Sequence, residues 1–126
     1  MFRKGVNMEE LYNQIQGYLN MDEEIPFEEF DQFYKKVLDV LNERNEQFTE
    51  DDVWKALFIV ENLMSNADAR SKETKGALVK KYKKMAKRNE LWAKNFVVRL
   101  HKFGYNDDQI NARFEKMFED GPVEAN

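Results

Sequence analysis

Cysteine is absent from this 126-residue chain. That excludes disulfides, thiolate nucleophiles and cysteine zinc sites, and a small domain without disulfides fits a reducing compartment. There is a single histidine, His101. One imidazole cannot build a histidine-rich metal centre or the paired Glu-x-x-His motifs of di-iron bundles within one chain. The only serines are Ser65, inside a helical stretch, and Ser71, which reads as an N-cap. Neither resembles an activated nucleophile. Five glycines and two prolines are too few turn residues for a barrel or sandwich of many short strands. The glycines are scattered, so no phosphate-cradling loop is formed. No apolar run approaches the roughly 18 residues that span a bilayer. The basic start Met1–Asn7 lacks the apolar stretch of a signal peptide. The expected location is the cytoplasm.

What the chain has is apolar mass and charge. Apolar residues make up 42% and aromatics 13%, enough for one good core and too little, at this length, for two. The spacing of the apolar residues is helical throughout. Met8, Leu11, Tyr12, Ile15, Tyr18 and Leu19 predict a helix over 8–19. Pro26 opens a second, to about Glu43, with Glu28 and Glu29 in its first turn and a stripe from Phe27 to Leu41. Thr49, with Asp52 three residues on, caps a third from about Asp51 to Ala67. Its stretch Val53–Val60 is apolar nearly all round, which marks a buried central helix.

A fourth stripe runs Leu78, Tyr82, Met85, Asn89, Trp92, Phe96, Leu100, Phe103. A helix from Ser71 or Lys72 to Phe103 would reach roughly 48 Å at ~1.5 Å per residue. A domain of this size has a radius of gyration of about 14 Å. The expectation is therefore a break near Asn89, the alternative being an overhanging helix that pairs with another subunit. Gly104 ends this segment. Asn106 and Gln109 form a capping box for a fifth helix over 107–119. The fold expected is all-α: a single domain over 1–126, a five- or six-helix, mostly antiparallel bundle, helix 3 central, with loose tails at 1–7 and 120–126.

Charge is unevenly placed. Residues 70–102 carry twelve Lys and Arg against Glu73 and Glu90, a segment charge of +10. Residues 1–69 come to −10 and residues 103–126 to −4. Lys80, Lys83, Lys84, Lys87, Arg88 and Lys94 form the candidate interaction face. It suits a protein partner or a second copy of the chain; the alternative is nucleic acid, through phosphate contacts. The same lysines also make an ordinary solvated face that complements the acidic helices. Lysine outnumbers arginine there, and the sequence pI is near 5.2, both unfavourable for nucleic-acid readout. Asp107, Asp108 and Glu115 would likewise keep the fifth helix out of a DNA groove.

Trp54, Phe58 and Trp92 are the candidate exposed aromatics, because each lies off its main stripe or on the all-round apolar helix. The acidic loop 20–24 before Phe27-Glu28-Glu29-Phe30 lacks the alternating aspartates and glycine of a calcium loop. Glu61 and Asp68 lie on similar faces of the third helix, and a buried Glu61 would draw interest. No catalytic, cofactor or metal constellation emerges. The expected function is a small non-enzymatic interaction or regulatory protein, with no cofactor, no metal and no membrane partner.

Overall fold

The computed structural model describes residues 7–121. They form α1 (Met8–Leu19), α2 (Phe27–Arg44), a single 3₁₀ turn at Asn45–Gln47, α3 (Glu50–Glu73), α4 (Ala77–Lys102) and α5 (Asp107–Asp120), with no strand among them. This is the expected all-α bundle. Caps set the boundaries. Asn7 accepts from the Glu10 N–H at the start of α1. Reciprocal boxes close the starts of α3 (Thr49 with Asp52) and α5 (Asn106 with Gln109). Gly104 turns the chain out of α4 with φ +106°, a conformation that costs glycine nothing.

α3 is the axis, and its most extensive packing is against α4. Ala56, Ala67 and Ala93 are buried on these two helices, and small side chains let helix backbones approach closely. Arg70 reaches Tyr82 at one end of the pair, while Phe48, just before α3, lies beside Phe96 at the other. The two helices are thus antiparallel. α1 and α5 cover the N-terminal half of α3. The Phe58 ring meets Tyr12, Phe114 and Phe118 at 5.2, 5.4 and 4.8 Å. Gln16 is buried and donates to the Tyr12 hydroxyl and the Met117 carbonyl, both at 2.9 Å, which ties α1 to α5. α2 runs alongside α4 in the same direction. Its start touches Tyr82, and Asn45 at its end accepts both Nη groups of Arg99 at 2.6 Å. Arg99 therefore caps the C-terminus of α2 and leaves the basic face.

Four expectations need correction. α4 is continuous through Asn89. That residue is fully buried and donates Nδ2 to the Met85 carbonyl one turn back, at 2.8 Å, which lets an amide sit inside a helix. The helix is shorter than expected because the junction between α3 and α4 lies later, at Thr74–Gly76, where Thr74 is extended and Gly76 has φ +81°. Helix 3 accordingly continues to Glu73, so Ser71 is intrahelical. Its Oγ donates to the Asp68 carbonyl at 2.7 Å and caps nothing. Trp54 and Phe58 are buried, at 4% and 0% exposure, under Tyr105 and under the rings of Tyr12, Phe114 and Phe118 respectively. Trp92 is half-buried, stacked on Phe96 at 5.6 Å. The expected tails at 1–6 and 122–126 lie outside the described residues. Within them, Asn7 caps α1 and Asp120 is helical.

Gly76, at φ +81° and ψ −149°, occupies backbone space that is nearly closed to other residues, and no atom lies within 4 Å of where a Cβ would stand. A side chain there is penalised by backbone conformation alone. Gly76→Ala is expected to destabilise the fold by about 1–3 kcal/mol, read from urea denaturation at unchanged m-value. An effect near zero would mean that the turn tolerates another conformation.

Candidate basic groove between α2 and α4

Large side chains set the geometry here. Phe27 and Phe30 on α2 pack edge-on against Tyr82 of α4, with centroids 5.5 and 5.9 Å apart. Two parallel helices held apart by rings leave a furrow between their outer faces. That furrow is a groove of about 650 Å³, with Tyr34, Met85 and Leu91 as its apolar lining. Lys81, Lys84, Lys87 and Arg88 form one wall, Asp31 and Lys35 the other. Burial pushes the Tyr34 phenol above the ordinary tyrosine range; nearby Arg88 pulls it down and Asp31 pushes it further up.

The helical period brings the sequence-derived face together. Lys80, Lys83, Lys84, Lys87, Arg88 and Lys94 are all exposed along one stripe of α4. Leu91 stands in the middle of that stripe and is 53% exposed. Sequence reasoning missed this leucine because the charges around it dominate the composition. Trp92, the remaining candidate aromatic, lies outside the groove.

The electrostatics decide between a complemented face and an open one. Among the described residues, every ion pair is local. Five join residues three or four apart on one helix: Asp31–Lys35, Asp51–Lys55, Asp68–Lys72, Lys87–Glu90 and Glu90–Lys94. Across the α4–α5 turn, His101 Nε2 lies 2.8 Å from the Asp107 carboxylate. No pair joins a lysine of α4 to a carboxylate of α1, α2 or α3. Lys80, Lys83, Lys84 and Arg88 take part in none. The α4 cations therefore form no ion pairs with the acidic helices, and along the groove lining five cationic side chains accompany one carboxylate, Asp31.

The carboxylates do not assemble into a site. Asp68 is exposed and pairs with Lys72 at 3.2 Å, seven residues along from Glu61. No group of three or more His, Asp or Glu able to share a metal ion occurs among the described residues. No helix there is long and apolar enough to cross a membrane. Compared with known protein families, curated proteins and solved structures, the chain shows no significant match.

Glu61 is half-buried, and burial raises its carboxyl pKa above the ordinary value of 4.5. A raised carboxyl pKa means that the folded state keeps its proton to higher pH than the unfolded chain. Glu61 thus favours folding most in acid, and its contribution declines as pH rises from 4.5 through the raised value, then stays flat. Glu61→Gln is expected to raise Tm at pH 7, with the gain shrinking as pH falls through the carboxylate range. A gain independent of pH would assign the effect to packing.

Proposed function

We propose that this chain is a non-enzymatic interaction module that receives an acidic amphipathic helix of a partner protein in the α2–α4 groove. The carrying observation is the cationic wall, Lys81, Lys84, Lys87 and Arg88, of which only Lys87 has an ion-pair partner among the described residues (Glu90, at 3.8 Å), beside an apolar lining that includes the exposed Leu91. An amphipathic helix binds by laying its apolar face into such a groove, and carboxylates at its edges would meet the lysines. Lysine suits this role because loosely held acidic side chains need charge and reach more than bidentate geometry. The rest of the surface supports a protein partner over a nucleic acid. Residues 1–69 and 103–126 carry net charges of −10 and −4, which would repel a phosphate backbone passing beyond the groove. The cysteine-free composition supports a cytoplasmic setting.

The test is fluorescence anisotropy with a synthetic Glu/Leu amphipathic peptide, a sequence-scrambled peptide of equal charge, and a single-stranded oligonucleotide. The amphipathic peptide is expected to bind best, with affinity falling as salt rises. The double variant Lys84→Glu, Arg88→Glu should weaken it by at least about tenfold, and Leu91→Asp by a similar factor, with circular dichroism unchanged. Equal binding of amphipathic and scrambled peptides, or preference for the oligonucleotide, would overturn the reading.

A further inference from the structure

Near the C-terminal end of α3 a cation is buried without an anion. Arg70 is 8% exposed. Its Nη2 donates to the Ile25 carbonyl at 2.9 Å and its Nη1 to the Tyr82 hydroxyl at a long 3.4 Å. The guanidinium lies over the Phe30 ring, 4.4 Å from the centroid. Nε is buried with no partner. Arginine carries five N–H donors and stays charged in proteins, so most of its capacity here is unused. Among the described residues Arg70 forms no ion pair, although Asp22, Glu23 and Glu24 stand nearby at the rim of the same cavity. Ring faces and neutral oxygens offset part of the desolvation of a buried cation, but they supply no countercharge.

Arg70 forms part of the wall of a cavity of about 220 Å³ between the α1–α2 loop and α3. The remaining wall is largely apolar, with Ile15, Tyr18, Phe33 and Leu63 among its members. Leu19 and Met21 at its edge leave 37% and 51% of their surface in water. We infer that this cavity binds a small monocarboxylate with an apolar body, its carboxylate on the Arg70 guanidinium and its hydrocarbon against the apolar wall. A charge-assisted, forked hydrogen bond to carboxylate is what an arginine with free N–H groups is shaped to make. The acidic rim sets selectivity. Three exposed carboxylates at the entrance repel polyanions such as phosphate esters more strongly than a single charge, and salt screens that repulsion. This site shares no lining residue with the α2–α4 groove, so each stands or falls without the other.

Octanoate, octanol and inorganic phosphate are the probes, titrated into the full chain with calorimetry and with the Arg70 side-chain Nε–Hε resonance followed by NMR. Octanoate is expected to bind at least about tenfold tighter than octanol and to shift that resonance, while phosphate does neither. Arg70→Met should abolish the preference for the acid. Because that variant also removes the Ile25 and Tyr82 bonds, a second variant uses only exposed positions. Glu23→Gln with Glu24→Gln should tighten octanoate a few-fold at low salt and leave octanol unchanged. Equal affinity for octanoate and octanol, or an Arg70 resonance unmoved at saturating octanoate, would reduce Arg70 to a structural latch and overturn the site. The Lys84→Glu, Arg88→Glu variant should bind octanoate as the parent chain does, which separates failure here from failure of the groove.

Discussion

The close packing of α3 on α4 is the constraint from which the remaining architecture follows. Alanines at 56, 67 and 93 bring the two backbones together, and the three-residue turn at Thr74–Gly76 makes the pair antiparallel. Once α4 occupies one side of α3, the apolar surface of Val53–Val60 still needs cover elsewhere. α1 and α5 provide it through the rings around Phe58. α2 does not come as close, because where it meets the start of α4 the packing residues are Phe27, Phe30 and Tyr82 rather than alanines. The furrow beside α4 is thus a geometric by-product of side-chain size, and it opens on the helix that carries more basic residues than any other, nine of the chain's twenty.

Charge and packing are largely decoupled in this protein. Exposed ion pairs at three- and four-residue spacing contribute only about 0.3–0.5 kcal/mol each. The fold therefore depends little on which charges sit where. The segregation of +10 on residues 70–102 against −10 on residues 1–69 is not explained by stability, since no ion pair among the described residues uses it. A structural role would have paired lysines of α4 with carboxylates of α2, whereas Asp31, the carboxylate facing them across the groove, pairs with Lys35 of its own helix. Arg99 does bridge these helices, yet it does so by capping Asn45, a polar contact rather than a charge pair.

The helices were readable because periodicity and capping act locally. Thr49 with Asp52 and Asn106 with Gln109 announce their helix starts within four residues. Long-range geometry was less legible. The size of the domain suggested an interruption at the polar Asn89, yet α4 runs unbroken for 26 residues and only the junction with α3 is displaced, to Thr74–Gly76. A mid-helix amide can bond the carbonyl one turn back, whereas Gly76 adopts a backbone conformation that ends a helix outright. That misplacement also hid Arg70. With helix 3 ending at Ala67, Arg70 counts as one more surface cation. With the helix continued to Glu73, the buried series Leu63, Ala67, Arg70 follows the four- and three-residue steps of the core stripe. Trp54 and Phe58 show the converse. An all-round apolar helix can be read as enclosed or as partly exposed, and only the number of helices laid around it decides.

Arg70 and the lysines of α4 illustrate how one charge sign acquires opposite meanings by depth. On the surface, a lysine stripe attracts anions over a Debye length and discriminates little between them. In the interior, the same positive charge costs free energy unless an acceptor of fitting shape arrives, so selectivity comes from the cavity rather than from the field. The two sites share no lining residue, but Phe30, which lines the cavity, packs against Tyr82 of α4. Adjacency does not by itself couple them, because coupling needs an element with two arrangements that both sites bias. The one contact suited to such a role is the long Arg70–Tyr82 hydrogen bond. A carboxylate on Arg70 would compete with the Tyr82 hydroxyl for the guanidinium and free that hydroxyl.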